Sequence, residues 1–179
     1  MDNNNISIRD AKPEDCDQII TLIQELANFA NMPNGPKLSA DVLRKDGFGE
    51  EKMFRCLVAC DGDCLVAYAL YFFSYSTWEG VNLYLEDFYV TPAYRHRGIG
   101  TKLWRKVAQV AVDRKCNRLD WVCLGWNKQS IEFYKSKGSV NLTSDEDWNL
   151  FRLSGDNLRA FANNTSVKAF DLIKKTDIG

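Results

Sequence analysis

The segment EDFYVTPAYRHRGIGTKLW, residues 86–104, joins a β-rich run to a helical pattern through a glycine turn. The acidic pair Glu86 and Asp87 lies inside the apolar run that precedes the turn. Cationic side chains and two glycines make up the turn itself: Arg95, His96, Arg97, Gly98 and Gly100. Glycines let backbone N–H groups approach a ligand closely, and the start of a helix favours negative charge. The segment therefore predicts a helix from Gly98 to about Arg114, with a turn before it that is suited to an anion.

The spacing of these glycines excludes two common nucleotide-binding motifs. The dinucleotide fingerprint G-x-G-x-x-G requires a glycine where this chain has Leu103, and the triphosphate loop requires a Gly-Lys-Ser/Thr ending that is absent. An ordinary strand-to-helix turn explains the local pattern as well as an anion site does. From this pattern alone, both interpretations stay open.

The rest of the chain alternates β-rich runs with helical patterns, which predicts an α/β fold with one mixed sheet flanked by helices. The expected strands are ISIRDA, FRCLVAC, CLVAYALYFFSYS, NLYLEDFYV, RLDWVCL and WNLFRL. Two of them surround Asp61-Gly62, which is typical of a hairpin turn. Helices are expected from Pro13, from a Ser39 cap through Leu43 until DGFG ends the helix, after Gly98, over NKQSIEFYKSKG and over GDNLRAFA.

Composition limits the possible partners of the chain. Its 179 residues carry a net charge of −1, which gives no overall attraction to nucleic acid or to a membrane surface. No apolar run reaches the roughly 18 residues of a membrane span, and the polar start MDNNNISIRD is unlike a secretory signal. We expect a cytoplasmic protein that binds neither nucleic acid nor membrane.

Six cysteines and a single histidine, His96, are spread along the chain without a C-x-x-C pair. A zinc site needs several such ligands at suitable spacing. We therefore expect no metal, and we expect the cysteines to be buried, reduced thiols.

Two motifs resemble the GCN5-related N-acetyltransferase superfamily: R-x-x-G-x-G after a strand, and N-x-x-S-x-x-x-Y formed by Asn127, Ser130 and Tyr134. Six blocks then resemble the diamine acetyltransferases, which act on polyamines or thialysine: DGFGE, YSTWEG, YLEDFYV, YRHRGIG, WNKQSIEFYKSKG and LTSDEDW. The resemblance spans residues 6–155, and YSTW and YLEDFYV are nearer the thialysine branch. It implies a mostly antiparallel, twisted sheet and a homodimer. The polar composition after Ala162 predicts one acetyltransferase domain over residues 1–162 and a C-terminal tail over 163–179, whose structure stays open.

Acetyl transfer to an amine requires three kinds of group. With a pKa near 10.4, only about one amine in 10³ is unprotonated near neutral pH, so a carboxylate or water must take a proton. The attacked thioester develops negative charge on oxygen, which a backbone N–H stabilises. The departing sulfur is then protonated by an acid such as tyrosine.

The resemblance implies which residues supply these groups, with acetyl-coenzyme A as co-substrate and a small primary amine as acceptor. Glu86 is the expected proton acceptor and Tyr134 the expected proton donor. The implied coenzyme contacts are Phe88, Tyr89, Val90, Arg95, His96, Arg97, Gly98, Ile99, Gly100, Thr101, Asn127, Lys128, Ser130 and Tyr134. The implied acceptor contacts are Phe29, Trp78, Glu86, Asp87, Asp120, Trp121, Val122 and Glu146. Because side chains alternate along a strand, Asp87 should point away from Glu86 unless a bulge intervenes.

One segment departs from the family pattern. In ELANFANMPNGP, Phe29 is followed by Ala30 where relatives usually carry an acid, and no acid follows up to Pro36. The departure weakens the case for long polycations and favours a shorter amine with its own carboxylate, as in thialysine. A non-catalytic coenzyme-binding scaffold and a protein or peptide acetyltransferase remain the alternatives.

Overall fold

The computed structural model describes residues 6–166. The chain divides into two compact units between Asn127 and Lys128. The first unit contains β1 (Ile6–Asp10), α1 (Cys16–Phe29), α2 (Ala40–Phe48), β2 (Arg55–Asp61), β3 (Cys64–Ser76), β4 (Gly80–Val90), α3 (Ile99–Asp113) and β5 (Leu119–Trp121). The second unit contains α4 (Lys128–Lys135), α5 (Leu142–Asp145) and α6 (Gly155–Ala162).

A five-stranded sheet in the order β1-β2-β3-β4-β5 organises the first unit. The first four strands form antiparallel pairs, and β5 runs parallel to β4. A short turn joins β2 to β3, and Gly62 takes a positive φ of 58° in this hairpin. The expectation of a single mixed, mostly antiparallel sheet flanked by helices is confirmed.

Helices cover the two faces of this sheet. The apolar side of α1, including Ile19 and Leu22, is buried in a cluster with Cys56, Tyr68 and Tyr89 from the sheet. On the other face, α3 contacts β2, β3 and β4. Its buried side chains are Ile99, Leu103, Trp104, Val107 and Ala111, at helical spacing.

The second helix is longer than expected. The Ser39 hydroxyl accepts a hydrogen bond from the Val42 N–H at 3.3 Å, so the predicted cap is confirmed. The helix nevertheless continues past Leu43 to Phe48 and includes Gly47. Gly47 is buried under the ring of Phe54. A glycine at this position allows the ring to pack closely against the helix, and it does not end the helix. The end comes at Gly49.

The prediction of a final strand over WNLFRL is wrong. Residues 148–153 have no regular secondary structure, and the described sheet contains no strand from this segment. The side chains of Leu150 and Phe151 are 75% and 90% exposed. A strand requires hydrogen bonds to a neighbour, which an alternating pattern alone does not supply. The short helix α5, whose Asn141 side chain caps it, was not expected.

The outer limits of the predicted domain stay a prediction. The described residues end at residue 166, so most of the expected tail over 163–179 lies outside them. Residues 1–5 lie outside them as well. Among the helices of residues 6–166, none is both long and apolar enough to cross a membrane.

Candidate active site

Strand β4, which lies between β3 and β5, contains a bulge at Glu86. Leu70 of β3 pairs with Asp87 and Tyr71 pairs with Leu85, so Glu86 is an extra residue without a partner in the ladder. The bulge interrupts the alternation of side chains on which the sequence prediction depended. Asp87 and Leu85 therefore lie on opposite faces, because their partners Leu70 and Tyr71 are neighbours on β3. Glu86 itself is exposed.

Beyond the bulge, β4 loses its neighbour on one side. The parallel ladder with β5 covers only three pairs, which end at Leu85 and Trp121. Residues 86–90 continue β4, yet within the described part of the chain no strand pairs with them on the β5 side. Backbone polar groups at such an edge need a side chain, water or a ligand as partners. This unpaired edge of residues 86–90 is a place where an extended molecule can lie against β4.

The carboxylate of Asp87 is held by a buried tyrosine. The Tyr68 hydroxyl donates a hydrogen bond to Asp87 Oδ2 at 2.9 Å. Burial raises the pKa of Asp87, the hydrogen bond from Tyr68 opposes that effect, and the charge of Glu86 adds to it. The two carboxylates are thus close enough to interact.

The glycine turn leads directly into α3. Gly98 precedes the helix with a positive φ of 77°, and no side chain caps the helix start. The first backbone bond runs from the Lys102 N–H to the Gly98 oxygen at 3.0 Å, so the preceding N–H groups of the first turn have no partner within the helix. Among the described residues, no atom lies within 4 Å of the position a Gly98 side chain would take. The turn therefore has the room and the donors that a phosphate group needs.

Helix α3 starts close to the unpaired edge. A Cβ atom at Gly100 would lie 3.6 Å from Val90 and 3.9 Å from Phe88, which is ordinary contact. Phe88 also packs edge-to-face on Trp104, with ring centroids 5.4 Å apart. His96 has a positive φ of 60°, Ile99 is buried and Thr101 is half-buried in the first turn of α3.

Arg95 links the turn to α1. Its Nε donates to the Val90 carbonyl at 2.9 Å, and its guanidinium lies over the rings of Tyr89 and Phe29 at 5.4 and 5.0 Å. The Phe29 ring also contacts Trp126, with centroids 5.4 Å apart. The guanidinium is thus shared between the backbone of β4 and two aromatic rings, a contact set that the motif alone does not reveal.

The Arg97 side chain contacts a different aromatic ring from those that Arg95 contacts. Its guanidinium lies 5.0 Å from the Tyr94 ring, and the Tyr94 hydroxyl donates to Asp61 Oδ2 at 2.8 Å. The hairpin between β2 and β3 is thereby connected to the glycine turn.

The predicted acceptor residues in β5 lie beside the bulge. Asp120 pairs with Tyr84 and binds Arg118 at 2.8 Å, and Trp121 packs edge-to-face on Trp104 at 4.8 Å. Val122 follows the last ladder pair and is 57% exposed.

Trp78 lies at the opposite end of β4. It is 83% exposed in the turn between β3 and β4. The six steps from Gly80 to Glu86 span about 20 Å at about 3.3 Å per residue. The fold therefore does not bring Trp78 and Glu86 together within one chain.

The remaining predicted residues are Asn127, the last residue of the first unit, and residues of the second unit. Asn127 closes a turn on the Leu124 carbonyl at 2.9 Å, and α4 starts at the next residue, Lys128. Ser130 and Tyr134 are four residues apart in α4 and so share a face of that helix. Glu146 accepts a hydrogen bond from the Trp148 indole at 3.2 Å. The roles assigned to all these residues stay predictions.

Sequence reasoning missed Tyr68 and Trp126. Tyr68 stands in a β-rich run, where an aromatic residue is typical of the core, and nothing local marks its acidic partner nineteen residues later.

The expectation for the cysteines was right for Cys16, Cys56 and Cys60, which are buried, and wrong for Cys64 and Cys123, which are exposed. All six cysteines are free thiols.

Comparison with known proteins agrees with this geometry. The acetyltransferase (GNAT) family matches residues 20–138. Thialysine N-epsilon-acetyltransferase of Bos taurus is 46% identical over 165 residues, covering 88% of this chain and 97% of that protein. Spermidine/spermine N(1)-acetyltransferase-like protein 1 of Homo sapiens is 41% identical over 158 residues, covering 84% of this chain and 23% of that protein.

Solved structures share the fold at low sequence identity. An integron cassette protein from the mobile metagenome of V. cholerae has a TM-score of 0.72 at 22% identity, covering 88% of this chain and 98% of its own. Aminoglycoside N-acetyltransferase AAC(6')-Iy in complex with CoA has a TM-score of 0.64 at 15% identity, covering 84% and 94%. The fold is thus one that acetyltransferases use. The sequence matches go further: this chain belongs to the acetyltransferase (GNAT) family.

Proposed function

We propose that this protein transfers the acetyl group of acetyl-coenzyme A to a primary amine of a small molecule, with thialysine or a similar amino acid as the preferred acceptor. The observation that carries the proposal is the bulged β4, whose unpaired edge of residues 86–90 runs from Glu86 to the uncapped start of α3. The carboxylate that we propose for amine binding and the turn that we propose for phosphate binding are thereby connected by one strand segment. Several relatives named thialysine N-epsilon-acetyltransferase support the acceptor class.

Each group of the reaction has a candidate on this chain. When bound, acetyl-coenzyme A supplies an activated acetyl thioester. Glu86 binds the acceptor ammonium and accepts its proton, directly or through one water, so that the free amine attacks the thioester carbon. Main-chain groups of residues 88–90 bind the pantetheine arm and donate to the carbonyl oxygen. Tyr134 donates a proton to the departing sulfur.

The acceptor class also follows from charge. Residues 29–36 contain no acid, so they offer no second site for a polyammonium chain. Arg95, whose guanidinium lies over Phe29, adds positive charge at the same place. A positive charge there disfavours a second ammonium and suits a carboxylate. An amino acid with a side-chain amine has this combination.

The proposal extends to the setting of the enzyme. We propose a cytoplasmic homodimer that works without a metal ion and binds neither nucleic acid nor membrane. The near-neutral net charge supports the last two statements.

A thiol-release assay tests the function. Acetyl-coenzyme A is mixed with thialysine, lysine, ornithine, putrescine, spermidine, spermine or a lysine-containing peptide, and free thiol is measured. We expect the highest kcat/KM with thialysine or another amino acid. Turnover only with the peptide would replace the small-molecule proposal, and no turnover with any amine, despite measurable coenzyme binding, would favour a non-catalytic scaffold.

The proton donor has its own test. Tyr134→Phe should lower kcat by about 100-fold, because general acid catalysis is lost, while the Kd for acetyl-coenzyme A changes little. Tyr75→Phe is the control, since Tyr75 is 76% exposed on β3 and has no assigned role. Unchanged turnover in Tyr134→Phe would remove Tyr134 from the acid role.

A further inference from the structure

Tyr68 is a buried polar residue at the centre of the sheet. Its relative exposure is 0%, and it belongs to the core cluster on the α1 face. A buried tyrosine hydroxyl normally finds a hydrogen-bond partner. Here the partner is the Asp87 carboxylate at 2.9 Å. The core of the protein is thus connected directly to the acidic pair at the bulge.

This hydrogen bond runs diagonally across the two strands. Tyr68 pairs with Tyr89 in the ladder, and Asp87 pairs with Leu70. These two pairs are neighbours on the same face of the sheet, and the bond runs from the β3 residue of one pair to the β4 residue of the other, just past the bulge. It holds one carboxylate oxygen of Asp87 on the α1 face of the sheet, so the direction of the Asp87 side chain depends on Tyr68.

The charged and titratable groups around Asp87 are few. Glu86 on the same strand and Tyr68 on β3 act on the Asp87 carboxyl. The charge of Asp87 helps to raise the pKa of Cys56 on β2. Tyr89 lies beside Tyr68. From α1, Glu25 contacts the Tyr89 hydroxyl, as Arg95 does from the glycine turn. Among these groups, the hydrogen bond from Tyr68 is the interaction that favours the ionised form of Asp87.

We propose that Tyr68 is a positioning residue for the acceptor amine: its hydroxyl holds the Asp87 carboxylate in place at the bulge, so that Asp87 and Glu86 together bind the ammonium. The inference rests on the proposed acetyl transfer to a small amine. The proton then leaves through Glu86 as described above, and Tyr68 itself contacts neither substrate.

Substitution of Tyr68 by phenylalanine tests this role, because the change removes one hydroxyl and keeps the ring. We expect kcat/KM for the amine to fall about tenfold, since the hydrogen bond to a charged group is lost. The acidic limb of the kcat/KM profile should shift upward by about one pH unit. The Kd for acetyl-coenzyme A should not change.

Tyr71→Phe is the matched control. Tyr71 is also buried on β3, but it pairs with Leu85 before the bulge and so lies on the opposite face. Its loss of a buried hydroxyl should leave the acidic limb in place. An equal shift in both variants would show a general structural effect and overturn the inference.

Two further measurements separate positioning from folding. In the Asp87→Asn background, adding Tyr68→Phe should lower kcat/KM no further, because Tyr68 acts through the Asp87 carboxylate; a full additional loss would overturn the inference. An NMR titration of the Asp87 carboxyl carbon needs no turnover, and Tyr68→Phe should move its midpoint upward. If the wild type turns over none of the amines, the proposed function is rejected. If the wild type is active but the titration midpoint of Asp87 does not move in Tyr68→Phe, only this inference is rejected.

Discussion

Gly98 has a backbone conformation that few other residues adopt, with a φ of 77° at the start of α3. A side chain there would meet no described atom within 4 Å, so the requirement for glycine comes from the backbone and not from crowding. Gly98 thus sets the backbone of the turn that leads into α3.

Gly98→Ala should lower the free energy of unfolding by about 1–2 kcal/mol and raise the KM for acetyl-coenzyme A several-fold, because the strained turn relaxes. Gly80→Ala is the control: its φ of 88° carries the same kind of strain at the distant end of β4. Chemical denaturation and steady-state kinetics measure both effects. If Gly80→Ala raises the KM as much as Gly98→Ala does, the turn has no special role in coenzyme binding.

At the scale of elements, the helices show how packing overrides local signals. The segment DGFG contains two glycines, Gly47 and Gly49, and its pattern predicts the end of α2. The helix includes Gly47 and ends only at Gly49. The ring of Phe54 occupies the space beside Gly47, and an added Cβ would lie only 2.5 Å from it. The preference for glycine at this position is therefore a property of two packed segments.

Gly47→Ala should destabilise the protein by about 1–3 kcal/mol, because the new methyl group collides with a ring that is packed against the core. Helix propensity alone predicts the opposite sign, a gain of about 1 kcal/mol. Urea denaturation decides between them. In a Phe54→Leu background the cost of Gly47→Ala should be smaller, and an unchanged cost would mean that the collision is not the cause.

At the scale of the whole molecule, an ion pair connects the edge of the sheet to the first helix. Arg9 on β1 contacts both oxygens of the buried Asp15 at 2.6 and 2.9 Å, and the Lys12 N–H donates to Asp15 at 2.7 Å. The hydrogen bonds from Arg9 hold the pKa of Asp15 below its usual value, although burial opposes them. Folding therefore favours the ionised form of Asp15.

This linkage predicts a stability that depends on pH. Because the folded pKa of Asp15 lies below the unfolded value of about 3.9, its contribution is complete above that pH and is lost as the pH falls through the folded pKa. Asp15→Asn should lower the free energy of unfolding by about 1–3 kcal/mol at pH 7, and the difference from wild type should shrink below about pH 4.

Urea denaturation between pH 3 and pH 7 measures this difference. Asp17→Asn is the control, since the Asp17 side chain is 77% exposed and its pair with Arg44 should contribute little. A difference between wild type and Asp15→Asn that stays constant down to pH 3 would contradict the assigned linkage.

The amino-acid sequence by itself determined the order of the elements through β5, the Ser39 cap, the strand-turn-helix around Gly98 and the family. The elements, the cap and the turn depend on the period of apolar residues and on turn chemistry, which act between near neighbours in the chain. The family follows from the motifs that the chain shares with its relatives. The same local rules failed for WNLFRL, because a strand exists only with a partner.

Only the tertiary structure decided the geometry of the acidic pair. The bulge at Glu86 arises from the register between β3 and β4, and the free edge beyond it arises from the early end of the pairing with β5. The hydrogen bond from Tyr68 to Asp87 depends on that same register. Register is set by contacts between residues distant in the chain, so no local pattern specifies which carboxylate lies on which face.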